Sequence, residues 1–430
     1  MIGSLYSGIS GLKANTSAMA VIGDNIANVS TTGFKASTVS FSNVFSASLG
    51  QSAMQIGRGV TMSGIAANWN SGTMETTSNV TDLAINGQGM FIVNDTAGTA
   101  QYYTRAGQFE FDNQGLLVNQ DGFLVQGYPI DATGNVGPLD NISMPAGMSV
   151  PSATTEITMG LNLDANATPT ALPVSSYDTT VTVYDSLGNP VDLQFNFARI
   201  DPPVAPAAGA AVQWNYSVSS TTAGVTITPA TMTLGFDTNG ALDPGNSTVL
   251  TASPTGDGDG HLLTINGLAA AASPMDFVWR FADTTGLISD GSVTSYAGNS
   301  AKNSQAQNGY PTGMLQGVSV DEDGIFTGLY SNGTMLSFAQ IALADFASYS
   351  GLLKQGSNLF SSSLASGQAV ILAPNQGSVG AIAPSSLEQS NVDLATEFVE
   401  LITTQRAFQA NSKVITTSDE VLSDLINIKR

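Results

Sequence analysis

Apolar residues recur at alternating three- and four-residue intervals near both ends of the chain, and in short alternating runs between them. The N-terminal series is Ile2, Leu5, Ile9, Leu12, Thr16, Met19, Gly23 and Ile26, the spacing of a heptad seam. Asn28 to Lys35 (NVSTTGFK) ends it with Ser, Thr and Gly33, residues that stop helices. Near the C-terminus Leu394, Phe398, Leu401, Gln405, Phe408, Ser412, Ile415, Asp419, Leu422 and Ile426 repeat the spacing. Ser390 and Asp393 give that series a capping-box-like start, with acid at the positive helix end. The second helix should run about 55 Å at 1.5 Å per residue. Residues 1–30 and 390–430 are therefore predicted to pair as an α-helical coiled-coil domain.

Both seams are interrupted, the first by Thr16 and Gly23, the second by Gln405, Ser412 and Asp419. Such helices can pack on a core of their own chain, or against copies from other chains. They lie at opposite chain ends and adjoin no core-forming helical region. Two long helices with weak seams are marginal alone, which favours packing against copies.

The middle of the chain reads as β. Leu83 to Val93 (LAINGQGMFIV) alternates around a Gly-rich turn. Asp112-Asn-Gln-Gly115 and Asn119-Gln-Asp-Gly122 are turns between strands. Val181–Tyr184, Leu193–Phe197, Trp214–Val218 and Met232–Phe236 are short runs bounded by Gly, Pro, Asn or Asp. Their spacing suggests sandwich or barrel domains. Ile200 to Val212 is rich in Pro and Ala and reads as a surface loop. A second β set runs from Val318 to Leu343 through turns at Asp321–Gly324 and Ser331–Gly333. The fold class is thus multidomain and mainly β. Residues 31–70 form a connecting segment, 71–148 with 309–385 a discontinuous β domain, and 149–308 a β domain inserted in it.

Charge sharpens this division. The 430 residues hold 12 Lys and Arg against 33 Asp and Glu, for a formal net charge of −21. Residues 149–308 hold 13 acids and 3 bases (Arg199, Arg280 and Lys302). A solvated acidic surface of this kind discourages nonspecific association and marks the insert as an outer domain. Twelve scattered cations make no patch for nucleic acid or an anionic membrane surface. No apolar run approaches the ~20 residues of a membrane span. The N-terminal residues have no basic stretch followed by an apolar core, so no secretory signal peptide is expected.

Candidate chemistry is sparse. With no Cys there is no disulfide, thiol nucleophile or Cys-ligated metal, and any His-dependent site must use His261. Asp257-Gly-Asp-Gly-His261 resembles the start of a calcium loop, but has His at the third ligand place and no Glu at the twelfth; it reads as a surface turn. Asp321-Glu-Asp-Gly324 reads as a hairpin turn. Gly87-Gln-Gly89 lacks the remainder of a dinucleotide fingerprint. No cofactor, metal or catalytic residue is expected.

The termini resemble the axial-protein family of the bacterial flagellum. Gly23-Asp-Asn-Ile-Ala-Asn-Val-Ser-Thr-Thr-Gly-Phe-Lys35 is similar to its N-terminal signature. Ser390-Asn-Val-Asp-Leu-Ala395 with Gln405-Arg-Ala-Phe-Gln-Ala-Asn411 is similar to its C-terminal signature. Asp82–Phe91, Tyr103–Phe109, Tyr330–Gly333 and Ile341–Phe346 resemble its two β segments, and Val183–Gly188 and Leu234–Gly240 resemble motifs of the inserted domain in hook-type members. Asp24, Phe408 and Met90 stand where the family commonly has Asn, Tyr and an aromatic residue.

The resemblance implies a structural subunit, not an enzyme, of a curved hollow helical tube that passes motor torque from rod to filament. Identical subunits in an open helix meet through heterologous, non-closing contacts. The partners implied are further copies of the chain, the rod, the hook cap, the hook–filament junction proteins and the flagellar type III export apparatus. Nucleic acid and membrane insertion are not implied. The location implied is the flagellar hook, outside the cell, after export without a cleaved signal. Leu5, Ile9, Leu12, Met19, Ile26, Leu394, Phe398, Leu401, Phe408, Ile415, Leu422 and Ile426 should pack the inner tube. Asn25, Asn28, Gly33, Phe34, Lys35, Asn391, Gln405, Arg406 and Asn411 are the motif residues expected at contacts. Phe34, Phe41 and Phe45 are either anchors between subunits or members of the chain's own core, and Arg406 either bridges helices or lies on a solvated face. A distal-rod-type subunit is the near alternative. A secreted β-rich adhesin or carbohydrate-active protein is the distant one, and it leaves the paired terminal motifs unexplained.

Overall fold

One turn recurs along the β-rich part of the chain. Asp95, Asp112, Asn119, Asp131, Asp185, Asp237 and Asp321 are each followed three residues later by Gly. In every case the Gly N–H donates to the carbonyl of the opening residue. The N–H one residue further donates to its side-chain Oδ1 at 2.7–2.9 Å for all seven, that of Thr99 included. The glycines hold φ between 68° and 86°, a region closed to most side chains. A short acceptor followed by Gly therefore fixes where each strand reverses. Six of the seven openers are Asp, so part of the acid excess serves turn formation.

The computed structural model describes residues 2–45, 57–131, 134–145, 147–201, 211–222, 224–243, 247, 260–268, 272–280 and 292–428. The chain divides into two compact units: residues 1–145, 317–329 and 335–430, and residues 146–316 with 330–334.

The first unit contains both terminal helices, α1 (Ile2–Ala27) and α2 (Leu394–Ile428), and a thirteen-stranded sheet. Strand Met90–Asn94 is central and pairs antiparallel with Gln101–Thr104, Leu124–Pro129 and Leu343–Asp345. Phe91 and Val93 enter one apolar cluster with Leu83, Phe109, Leu117 and Ile341. Met90 and Ile92 enter another with Tyr103, Phe346 and Phe360. A strand buried on both faces reads as a continuous apolar run, as MFIV does. Two short pairs tie the chain before α2 back to the early sequence: Ala381–Pro384 on Leu83–Asn86, and Ser386–Glu388 on Met74–Thr76.

Residues 31–70, read from sequence as a connecting segment, contain an antiparallel hairpin of β1 (Ser37–Phe45) and β2 (Gly57–Ala67). Isolated two-stranded hairpins are marginal. This one lies along α1, where Val60 N–H donates to Ser10 Oγ at 3.2 Å. Its side chains are mostly exposed, so the apolar–polar alternation that announces a strand is weak.

The second unit is a β-sandwich. A four-stranded antiparallel sheet (Tyr177–Tyr184, Pro190–Ile200, Val212–Ser220, Met232–Phe236) and a six-stranded sheet around Glu156–Asn162 and Met275–Arg280 share one core. Val191, Leu193, Phe195 and Phe197 alternate inward along a single strand. His261 departs from the surface-turn reading. It lies in strand Gly260–Asn266, is buried, and stacks on Tyr216, whose hydroxyl shares a short hydrogen bond with its Nδ1. Leu263 and Ile265, alternate residues of the same strand, extend it into the core. Residues 257–259 of the calcium-like sequence lie outside the described residues, as do 202–210 of the Pro/Ala-rich stretch.

Candidate assembly interface

α1 presents two faces of different chemistry. Gly8, Gly11, Ala14, Ala18, Ile22 and Asn25 are its buried positions. Small side chains let helices approach closely. A Cβ on Gly8 would come within 3.0 Å of Ile415 Cγ1, and one on Gly11 within 2.7 Å of Asn411 Nδ2. Ser4 faces Ser418 at 3.4 Å, and Asn25 Nδ2 donates to Glu397 Oε1 at 2.9 Å. The pairs run in opposite chain order, so the helices are antiparallel in one register.

On α1 the predicted seam lies beside this contact, whereas Ile415 of the α2 seam sits over Gly8. Leu5, Leu12, Met19 and Ile26 are half-buried and Ile9 is exposed. On α2, Leu401, Phe408, Ile415 and Leu422, seven residues apart, are half-buried. Leu394 and Phe398 are exposed, as are Val399, Ile402, Val414 and Val421. The Ile426 side chain lies outside the described residues. Heptad reading finds large residues, whereas the intrachain contact on α1 uses small ones. Its large ones are left with substantial surface.

Below the helix pair, distant segments meet at Glu388. Lys35 Nζ lies 2.7 Å from Glu388 Oε1 and also donates to the Asn70 carbonyl at 2.9 Å. Arg105 Nη1 lies 3.2 Å from Glu388 Oε2 and donates to the Ile85 carbonyl, while Nη2 donates to that of Gly87 at 2.6 Å. The N–H of Gly72 donates to Glu388 Oε1 at 2.9 Å. All three charged side chains are at most 4% exposed. Burial pulls both cations below their ordinary pKa values, and the facing Glu388 charge opposes that shift.

Asparagines lock the surrounding backbone. Asn25 both donates to the Ser37 carbonyl and accepts from its N–H, each at 2.9 Å. Asn391 accepts from Ala36 N–H at 2.8 Å and donates to the carbonyls of Asn68 and Asn70. Asn28 donates to the Asp24 carbonyl and carboxylate at the end of α1. Gly33, at φ 69°, donates to the Glu388 carbonyl at 2.7 Å. A Cβ there would lie 2.6 Å from Ala106 N, so only glycine lets the three backbones meet.

Phe34 is buried in its own chain beneath Lys354 Nζ, whereas Phe41 is exposed. The Phe45 side chain lies outside the described residues. Gln405 and Arg406 are exposed, and Asn411 is half-buried over Gly11. Thus Asn25, Gly33, Lys35 and Asn391 converge on one junction, and Gln405 and Arg406 do not join it. Sequence reading missed Glu388 and Arg105. One signal pointed to them: in a chain with few cations, Lys35 and Arg105 sit among Gly and aromatic residues, and buried cations require a carboxylate.

Comparisons with known proteins follow these segments. Residues 5–35 match the model described as flagella basal body rod protein, and 84–162 the flagellar hook protein FlgE/F/G D1 domain. Residues 162–310 match the flagellar basal body protein FlaE D2 domain, and 383–428 the flagellar basal body rod FlgEFG protein C-terminal model. Lys35, Arg105 and Glu388 thus come from three separately matched segments. The flagellar hook protein FlgE of Salmonella typhimurium is 34% identical over 442 residues, covering 99% of this chain and all of the relative. That of Treponema pallidum is 33% identical over 474 residues and covers both chains fully. The crystal structure of a Helicobacter pylori flagellar hook protein covers 73% of this chain and all of its own, with a TM-score of 0.54 at 14% identity. That last likeness is one of fold.

Proposed function

The chain belongs to the flagellar hook protein family, and from that premise we propose that it is the subunit of a curved hollow helical polymer that passes torque from rod to filament. The observation that carries this reading is the unequal use of the terminal helices. They contact each other through the small-residue face of α1. Meanwhile Phe398, Val399 and Ile402 on α2 are about half exposed or more, and Ile9 on α1 is exposed, with Leu5, Leu12 and Met19 only partly covered. Apolar surface on a helix pair is stabilised when a partner covers it. A copy of the same pair is the partner that an open helical polymer supplies.

The partners beyond the chain itself are the rod, the hook cap, the hook–filament junction proteins and the flagellar export apparatus. Export proceeds without a cleaved signal to the outside of the cell. A chain with no Cys threads a channel without prior reduction. The acidic second unit suits contacts that slide as the tube bends, because like charges disfavour tight association.

Negative-stain microscopy of polymer from cells lacking the filament tests the reading. Curved tubes containing this chain are expected. Straight rods would favour the rod-type alternative, and absence of the chain from any polymer would overturn both. Removing residues 149–308 should leave a polymer that is straighter or stiffer, and loss of polymerisation in that variant would count against the sliding role.

A further inference from the structure

Leu364 is the most exposed large apolar side chain among the described residues, at 105% exposure. It stands at the tip of a tight turn that is pinned on both sides. The Ser363 hydroxyl donates to the Gly351 carbonyl at 2.6 Å and accepts from Ala365 N–H at 3.0 Å. The buried Ser366 closes the other side. Its Oγ accepts from Ser363 N–H at 2.8 Å and donates to the Ser363 carbonyl at 3.0 Å. The leucine is held outward by a fixed backbone and gains no cover from its own chain.

A cavity of about 330 Å³ lies in the same unit. Ile65, Ala67 and Trp69, alternate residues running off the end of β2, line it together with Val21 of α1, Leu352 and Phe360. Its carboxylate, hydroxyl and amine groups already have partners within the chain. Lys354 Nζ donates to Ser37 Oγ at 2.9 Å, and Asp24 Oδ1 accepts from Asn28 at 3.1 Å. The Tyr349 hydroxyl donates to Asp345 and accepts from Gly89 N–H, and the Ser350 hydroxyl pairs with that of Ser348. Such a lining is suited to an apolar group. A cavity of about 150 Å³ takes a benzene ring, so this one has room for a leucine side chain.

Tyr349, Ser350 and Leu352 line the cavity, while a Cβ on Gly351 between them would lie 2.4 Å from Ala365 C. Tip and cavity are thus fixed to two sides of one loop, and every copy carries both. Contacts between unlike patches of identical chains are heterologous and propagate. Val21 makes the cavity continuous with the α1 surface assigned above to assembly. A rigid tip also loses little freedom on docking. We propose that Leu364 of one copy inserts into this cavity on a second copy of the chain. The proposal rests on the polymer reading above.

The chain has no Cys, so Leu364→Cys and Ile65→Cys each introduce a single thiol. Ile65 lines the cavity and is 54% exposed. The two full-length variants, mixed, polymerised and treated with a short bis-maleimide, should give the mixed dimer. Polymer of either variant alone should give no dimer. Leu364→Ser should raise the critical concentration for polymerisation about tenfold, the scale of leaving one leucine uncovered. The melting of the free chain should not change, and Leu364→Met should keep the parent critical concentration. Polymer without the mixed dimer, or assembly as ready with Leu364→Ser, overturns the contact and leaves the polymer reading standing. Dimers from Leu364→Cys alone would mean that turn meets turn, and also overturn it. If the parent chain forms no polymer, the functional reading fails and this contact with it.

Discussion

The two units close their interiors by opposite means. The second packs Trp279 edge-on against Phe195 and Tyr216, with centroids 5.4 and 5.0 Å away, in a core drawn from both sheets. The first has apolar cores of its own, but its terminal segments are joined by charge and amide groups. Lys35 and Glu388 are separated by 353 residues and Asn25 and Glu397 by 372. Apolar packing tolerates imperfect geometry, whereas a buried ion cluster stands only when every partner is in place. The first unit therefore has a junction that forms only when the two ends of the chain have come together. The second needs neither end.

The comparison breaks most sharply at Glu388. Glu388→Ala leaves Lys35 and Arg105 buried without a counter-charge, and removing one partner of such a pair costs about 3–5 kcal/mol. Calorimetry should show the transition of the first unit lowered or lost, with that of the second in place. A uniform shift of both would mean that the units do not close independently. Trp279→Ala is the converse, with a cost of about 3–5 kcal/mol from the cavity it leaves. It should lower the transition of the second unit and leave hydrogen exchange at the Glu388 junction unchanged. Faster exchange at the junction would refute the division.

The same contrast decides what could be read from sequence. The sandwich announces itself residue by residue. Strand Pro190–Ile200 alternates inward and outward, and Asp185-x-x-Gly188 marks the reversal before it, because both signals are local. The helices are legible as helices, but their contact is not. The heptad reading selects Leu5, Ile9 and Leu12, and the chain instead joins α1 to α2 through Gly8 and Gly11, whose value is the space they leave. The 37–67 hairpin escapes notice because its faces are exposed and carry little pattern. Glu388 escapes because nothing within several residues distinguishes it from other acids. Its partners are supplied by topology. Lys35 stands out through its motif, which does not include its counter-ion.

The small-residue contact is separable from the charged junction beneath it. Gly11→Leu improves intrinsic helix propensity by somewhat less than the roughly 0.8–1 kcal/mol that separates Gly from Ala, but forces a side chain into the space over which Asn411 lies, and overpacking typically costs about 1–3 kcal/mol. Propensity and packing thus act in opposite directions. Exchange protection should fall along both terminal helices and hold at Lys35 and Glu388. If protection along the helices rises instead, α1 and α2 do not depend on that contact.

The smallest effect is a dependence on pH at the start of α2, where two carboxylates titrate in opposite senses. Desolvation raises the pKa of Glu397, the Asn25 amide opposes that shift, and the Glu400 and Asp393 charges add to it. The folded chain therefore takes up this proton at a higher pH than the unfolded one. The contact gains stability as pH falls from that raised value through the ordinary Glu range. Asp393 is held below its usual range by the Thr396 hydroxyl and the Ala395 N–H. Its contribution is complete above the ordinary Asp range and is lost as pH falls through the depressed value. Exchange protection of the first turns of α2, corrected for the intrinsic rate, should pass through a maximum in mild acid. Glu397→Gln should remove the rise towards that maximum and keep the loss below it. A profile that falls steadily with pH in the parent chain would show that Asp393 alone sets the stability of the helix start, and that the buried Glu397 takes no part in joining the two ends.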